Sequence, residues 1–320
     1  HVRPPSKRPV LLASMNHPHA PWLELTPSEH EPRERKGMDS NEQERLRQEV
    51  DEVLHGQRQP QEPTGFAQND YSNIHHVIGV MSGKGGVGKS LVCGILAVEL
   101  ARRGARVGIL DADITGPSIP RMMGLAGARA RGVDELIVPA LTHGGIEVMS
   151  ANLVLENETD PVLWRGPVIA GAIKQFWEDC AWGELDYLLV DMPPGTSDVA
   201  LTVFQSLPVD GVVIVSSPQD LVQMVVGKAV NMANMMSVPV LGLVENMAYF
   251  KCDECGKEHH IFGEPQGAAV AEKYDIPAVA TLPMDPTFAR LVDEGKVEAY
   301  EVEGALDGII DQIVATCEAE

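Results

Sequence analysis

Residues 83–90, GKGGVGKS, satisfy the pattern G-x-x-x-x-G-K-[ST] between a β-rich run, HVIGVM, and a helical one, KSLVCGILAVELARR. In that strand-to-helix setting the pattern is a phosphate loop. Its glycines let successive backbone N–H groups and the helix N terminus face a polyphosphate. Gly83, Gly85, Gly86, Val87 and Gly88 would form the cradle, Lys89 would reach the β- and γ-phosphates of ATP, and Ser90 would offer a hydroxyl to Mg2+. Lys84 is a cation beyond what the pattern requires. It either neutralises phosphate charge or reaches into a facing subunit as an arginine finger does, which expects a dimer closed on ATP. The runs RVGILDAD and YLLVD end in Asp111, Asp113 and Asp191, at the carboxyl edge where open α/β sheets collect ligands. By position Asp191 is expected in the Mg2+ shell and Asp113 beside the attacking water, so the catalytic set is Lys84, Lys89 and Asp113.

A second chemistry is written in CDEC, residues 252–255. Two thiols separated by two residues are half of a metal site. One completion lies within the chain: Cys252, Cys255, His259 and His260 offer a Cys2His2 set for structural zinc. The other lies outside it. A cubane cluster takes about four thiolates, and a two-fold axis near the loop would supply the second pair from another copy. Cys93 and Cys180 fall in apolar helical runs, and Cys317 on the stripe Leu306, Ile309, Ile310, Ile313, Val314, Cys317, so these three read as packed side chains. Five cysteines without a secretory signal argue against a disulfide framework.

The elements that must position these groups are legible as βαβ units. HVIGVM, RVGILD, YLLVD, GVVIV, VPVLGLV and AVATL are strand candidates, alternating with helical stretches such as VIAGAIKQFWEDC and DLVQMVVGKAVNMANMM. The expectation is an α/β P-loop NTPase domain over 74–320, a mostly parallel twisted sheet with helices on both faces. Its C-x-x-C loop would span 249–263. Residues 1–73 are rich in Pro, His, Glu, Arg and Gln and read as a mostly disordered leader. Within it a short helix near 41–55 starts at the capping-box pair Ser40 and Gln43, with Leu46, Val50, Val53 and Leu54 on one face. Met38 stands just before that helix and could mark a natural start. A net charge of −21 over 320 residues makes nucleic acid and anionic membrane poor partners. The apolar run of Val10, Leu11, Leu12 and Ala13 is too short for a signal peptide, so a cytoplasmic protein is expected.

GKGGVGKS with its extra lysine, DADITGPS, DMPPGTSD and ENMAYFKCDECG together closely resemble the Mrp/ApbC family of iron-sulfur cluster carrier ATPases. That family belongs to the deviant Walker A group with MinD, ParA, ArsA and the nitrogenase iron protein. The resemblance covers residues 75 to about 300. It implies a MinD-like fold and a homodimer that sandwiches two nucleotides, with Lys84 crossing the interface and Asp113 activating water. It makes the stretch from Asp113 the first switch and Asp191 to Asp198 the second. It assigns adenine recognition to Asn246, and to Cys252 and Cys255 a 4Fe-4S cluster bridged between subunits and handed to apoprotein clients after loading from an iron and sulfur donor. Many relatives carry an N-terminal module. Here no cysteine precedes Cys93, and the leader is too short and polar for a small α/β domain. A positioning ATPase of the MinD or ParA kind, with the C-x-x-C loop as a zinc site, is the alternative. It would need a basic tail or surface, and the C-terminal helix EGALDGIIDQIVATCEAE has an acidic polar face.

Overall fold

The computed structural model describes residues 67–320 apart from 115, 134–135, 156–165, 197, 219–221 and 319–320, and the helix read near 41–55 lies outside the described residues. Within them the Val, Ile and Leu runs become strands because a sheet covered on both faces has room for unbroken apolar sequence. Every residue of VGILD and of GVVIVS is buried. In chain order the strands are β1 (Ser72–Met81), β2 (Val107–Asp111), β3 (Arg131–Val133), β4 (Leu136–Val138), β5 (Ala140–Leu141), β6 (Glu147–Ser150), β7 (Gly183–Asp191), β8 (Gly211–Ser216), β9 (Val240–Lys251), β10 (Glu258–His259) and β11 (Val279–Pro283). The helices are α1 (Lys89–Arg102), α2 (Ile119–Met122), α3 (Gly166–Glu178), α4 (Asp198–Ser206), α5 (Val222–Met235), α6 (Gly267–Lys273), α7 (Pro286–Asp293) and α8 (Asp307–Cys317).

Across the sheet the order is β11, β9, β8, β1, β7, β2, β6, β5, with β10 attached to the far end of β9. The six strands expected from the sequence are all present and pair in parallel with their neighbours. β6 extends the parallel set beyond β2, while β5 and β10 are antiparallel additions at the margins. These short pieces, and the separate hairpin of β3 and β4, carry too little apolar periodicity to be read in advance. β1 also begins earlier than expected. Ser72 and Asn73 already pair with β7, and Asn69 donates from its side-chain amide to the carbonyls of Glu178 and Cys180, both at 2.8 Å.

Helices cover both faces. One core packs α3, α4, α5 and α6 against the sheet around Trp177, Trp182, Leu188 and Ile214. The other packs α1, α2, α7 and α8 around Leu96, Ile109, Leu189 and Val213. The expected stripe on α8 is buried at Ile309, Ile310, Ile313 and Cys317. Cys180 corrects one reading, since it lies beyond the end of α3 and bridges Ile137 instead of riding a helix. Among the described residues no helix is long and apolar enough to cross a membrane. Leu189, fully buried on the central strand β7, tests the packing: Leu189→Ala should destabilise the fold by about 2–5 kcal/mol, read as a lower urea midpoint with an unchanged slope.

Candidate functional site

The register of the sheet gathers the phosphate-loop residues with the carboxylates. Val80 at the end of β1 pairs with Asp191, and Asp191 pairs in turn with Asp111 at the end of β2. The loop then turns directly into α1. Gly86 and Gly88 stand at φ 79° and 82°, the left-handed region that glycine enters without steric cost. Gly83 is required for a different reason: a Cβ there would lie 2.2 Å from the Val225 carbonyl oxygen of α5. Gly85, Gly86, Gly88, Lys89, Ser90 and Asp113 line a cleft of ≈ 680 Å³, whose outer wall comes from α2 and α7.

Charge in this cleft is tightly arranged. Lys89 is 6% exposed and donates to Asp191 Oδ1 at 2.6 Å, with Asp113 Oδ2 at 3.8 Å and the Ser90 hydroxyl at 3.4 Å. Asp111 accepts from the Ser150 hydroxyl at 3.1 Å and from the Asp113 backbone N–H at 3.2 Å, so it orients the segment carrying Asp113. Burial, then the neighbouring Asp191, pushes the Asp111 carboxyl well above the usual range. Burial also raises Asp191, against the pull of Lys89 and Ser90. Asp191 Oδ2 is buried and without a hydrogen-bond partner. Lys84 is half-buried at the tip of the loop beside exposed Gly85 and Gly86.

The asparagine singled out in the sequence touches this loop from behind. Asn246 on β9 is 2% exposed, and its Nδ2 donates to the Val87 carbonyl at 3.0 Å. Its Oδ1 accepts from the Met247 N–H at 2.9 Å, and Met247 adopts φ 57°. The residue before it was missed by the sequence reading. Glu245 is fully buried, and its carboxylate accepts from the N–H groups of Gln266 at 3.1 Å and Gly267 at 2.7 Å, fixing the start of α6 to β9. A lone Glu in an apolar strand was the available signal, because a buried carboxylate must find donors.

β9 then runs on to the thiols. Cys252 N–H donates to the Lys257 carbonyl at 2.9 Å and Gly256 N–H to the Cys252 carbonyl at 2.8 Å, closing a tight turn between β9 and β10. The turn sets the two sulfurs side by side: backbone N–H groups of Cys255 and Glu254, then the Cys255 thiol, hold the Cys252 thiol below its ordinary pKa. Cys255 is exposed and Cys252 half-buried, whereas Cys93, Cys180 and Cys317 are buried. The histidines do not join them. His259 pairs with Phe250 in the β10 ladder, and His260 turns its Nδ1 to the Ala248 carbonyl at 3.3 Å. Among the described residues no group of three or more His, Cys, Asp or Glu side chains is placed to hold a metal ion, so the four-ligand zinc set is not assembled within the chain.

Residues 73–317 match a family model described as "NUBPL iron-transfer P-loop NTPase". An iron-sulfur cluster carrier protein of Clostridium perfringens is 50% identical over 248 residues, covering 75% of this chain and 87% of its own length. One of Methanocaldococcus jannaschii is 43% identical over 229 residues, covering 71% and 79%. Among solved structures, a nucleotide-binding protein of Archaeoglobus fulgidus in complex with ADP is 48% identical with a TM-score of 0.65, over 71% of this chain and 89% of that one. The cell division ATPase MinD of Pyrococcus furiosus shares the fold at 20% identity and a TM-score of 0.56, over 75% and 99%.

The burial of the five cysteines makes one outcome easy to read. In native, reduced protein a thiol reagent such as DTNB should titrate Cys252 and Cys255 promptly and reach Cys93, Cys180 and Cys317 only after denaturant is added. Prompt reaction of a third thiol would contradict this packing.

Proposed function

This chain belongs to the NUBPL iron-transfer P-loop NTPase family, and on that footing we propose that it is an ATP-hydrolysing carrier that binds an iron-sulfur cluster and passes it to apoproteins. The observation that carries the reading is the pair of accessible, adjacent sulfurs of Cys252 and Cys255 in the turn that follows the strand whose Asn246 holds the phosphate loop. The cargo is a 4Fe-4S cluster shared by two copies, since four thiolates are wanted and each chain presents two. A homodimer is therefore the working unit. Clients are apo iron-sulfur proteins, and a scaffold supplies iron and sulfur. The cytoplasm, where thiols stay reduced, suits an exposed unbridged pair.

ATP enters the cleft of the phosphate loop, which Asn246 backs from mid-strand. Lys89, already held over Asp191, turns its ammonium to the β- and γ-phosphates. Ser90 and Asp191 would hold Mg2+. Asp191 Oδ2 is a buried oxygen with no partner, and the Ser90 hydroxyl bonds the same carboxylate, so this pair fits a hard divalent cation. That cation would neutralise charge on the phosphate oxygens. Asp113, positioned through its N–H by Asp111, orients the attacking water. Lys84 crosses to the nucleotide of the partner subunit. Asn246 contacts the adenine with the amide hydrogen and lone pair that remain beyond its bonds to Val87 and Met247.

Two measurements test the proposal. Anaerobic reconstitution with iron and sulfide, followed by Mössbauer spectra and metal analysis, should give about four irons per dimer, lost in Cys252→Ser and in Cys255→Ser. Tight zinc at about one per chain with no cluster would overturn the carrier reading. For hydrolysis, Asp113→Asn should lower kcat by about a hundredfold or more with ATP binding retained. An unchanged kcat would remove Asp113 from the catalytic set.

A further inference from the structure

We propose that Asn246 is a positioning residue of the phosphate cradle: by holding the Val87 carbonyl it aims the Gly88 N–H at a bound polyphosphate. The inference rests on the reading of residues 83–90 as a nucleotide site, and it gives Asn246 a role that does not depend on any base. A trans peptide is planar, with its C=O and N–H pointing in opposite directions, and no described peptide bond is cis. Asn246 Nδ2 holds the Val87 oxygen at 3.0 Å from the buried side. The N–H of the same peptide belongs to Gly88 and points the other way, toward the cleft that Gly88 lines.

Such a clamp matters in this loop because its peptides turn easily. Gly86 and Gly88 both sit at positive φ, and glycine visits either sign of φ at little cost. An unheld Val87–Gly88 peptide could rotate its N–H away from an anion and its carbonyl toward it. The clamp is itself anchored. Asn246 Oδ1 is fixed by the Met247 N–H at 2.9 Å, and the chain turns there, with Met247 at φ 57°. One residue earlier, Glu245 ties β9 to the first amides of α6. The fit is close as well: a Cβ on Gly88 would lie 2.2 Å from Asn246 Nδ2. Gly88 is thus demanded by the asparagine behind it as much as by the phosphate in front.

A ligand without a base separates this role from adenine recognition. Binding of Mg2+ with inorganic triphosphate, ATP or GTP would be measured by calorimetry on the full chain, with thermal melts as a check on folding. Asn246→Ala should weaken triphosphate by about tenfold, and the isosteric Asn246→Asp should weaken it further, because a carboxylate would face the Val87 carbonyl. Relative to wild type, the Asn246→Asp defect should shrink as pH falls and the protonated acid regains a donor, a recovery that lost packing would not give. If either variant fails to fold, the other carries the test. Triphosphate binding unchanged in both variants, with only the preference for ATP over GTP lost, would overturn the inference and leave Asn246 as a base reader. A wild-type protein that binds neither triphosphate nor ATP would overturn the nucleotide-site reading and this inference with it.

Discussion

The cleft is organised by one electrostatic constraint: two buried carboxylates end adjacent parallel strands, and Lys89 is the cation set against them. Asp111 and Asp191 are both fully buried; beyond burial itself, Asp191 destabilises the charge of Asp111 and Asp113 that of Asp191. Removing one partner of such a buried group costs about 3–5 kcal/mol, so the lysine is as much structural as chemical. It also explains why the loop and the strand ends must be built together. The glycine turn after β1 delivers Lys89 to Asp191, and the parallel register of β1, β7 and β2 delivers the carboxylates. A polyphosphate entering the cleft competes for a lysine that is already engaged, which ties nucleotide occupancy to the state of the two strand ends.

Much of this was legible in the sequence for physical reasons. The phosphate loop is a local object, because its glycines, lysine and serine act within eight residues and one strand-to-helix turn. The six parallel strands are dense in branched apolar residues because both sheet faces are covered. What could not be read depends on contacts between distant positions. Val87 and Asn246 are 159 residues apart in sequence, and no spacing rule connects a carbonyl in a glycine loop with an amide on a later strand. Glu245 looks like an interruption of β9 until the N terminus of α6 arrives to satisfy it.

The histidines show the limit of counting ligands along a chain. CDECGKEHH contains enough donors for zinc, but the segment after the turn is a strand, and successive side chains of a strand point to opposite faces. His259 is held in that strand opposite Phe250, and His260, just past it, turns its ring to the Ala248 carbonyl, so neither stands with the thiols. The same hairpin that keeps the histidines apart brings the sulfurs together. The tight turn closed by Lys257 and Gly256 leaves Cys255 exposed and Cys252 beside it. Among the described residues no third ligand stands beside the two thiols, which is the arrangement that the proposed sharing of a cluster between two copies starts from.

β9 is the element that joins the two chemistries, and its pairing is uneven along its length. β8 holds it from Val240 to Glu245, and β11 pairs with Leu243, Val244 and Glu245 and then, past a register shift, with Tyr249. Beyond that, Phe250 and Lys251 pair only with the two residues of β10. Pairing is thus dense up to Glu245, breaks at Asn246, whose side chain bonds the Val87 carbonyl instead, and is sparse next to the thiol turn. Six positions separate Asn246 from Cys252, at most about 20 Å of chain. The phosphate loop and the thiols are therefore joined by one short run of chain fixed at both ends, by the Asn246 bond to Val87 and by the Cys252–Lys257 bond that closes the turn.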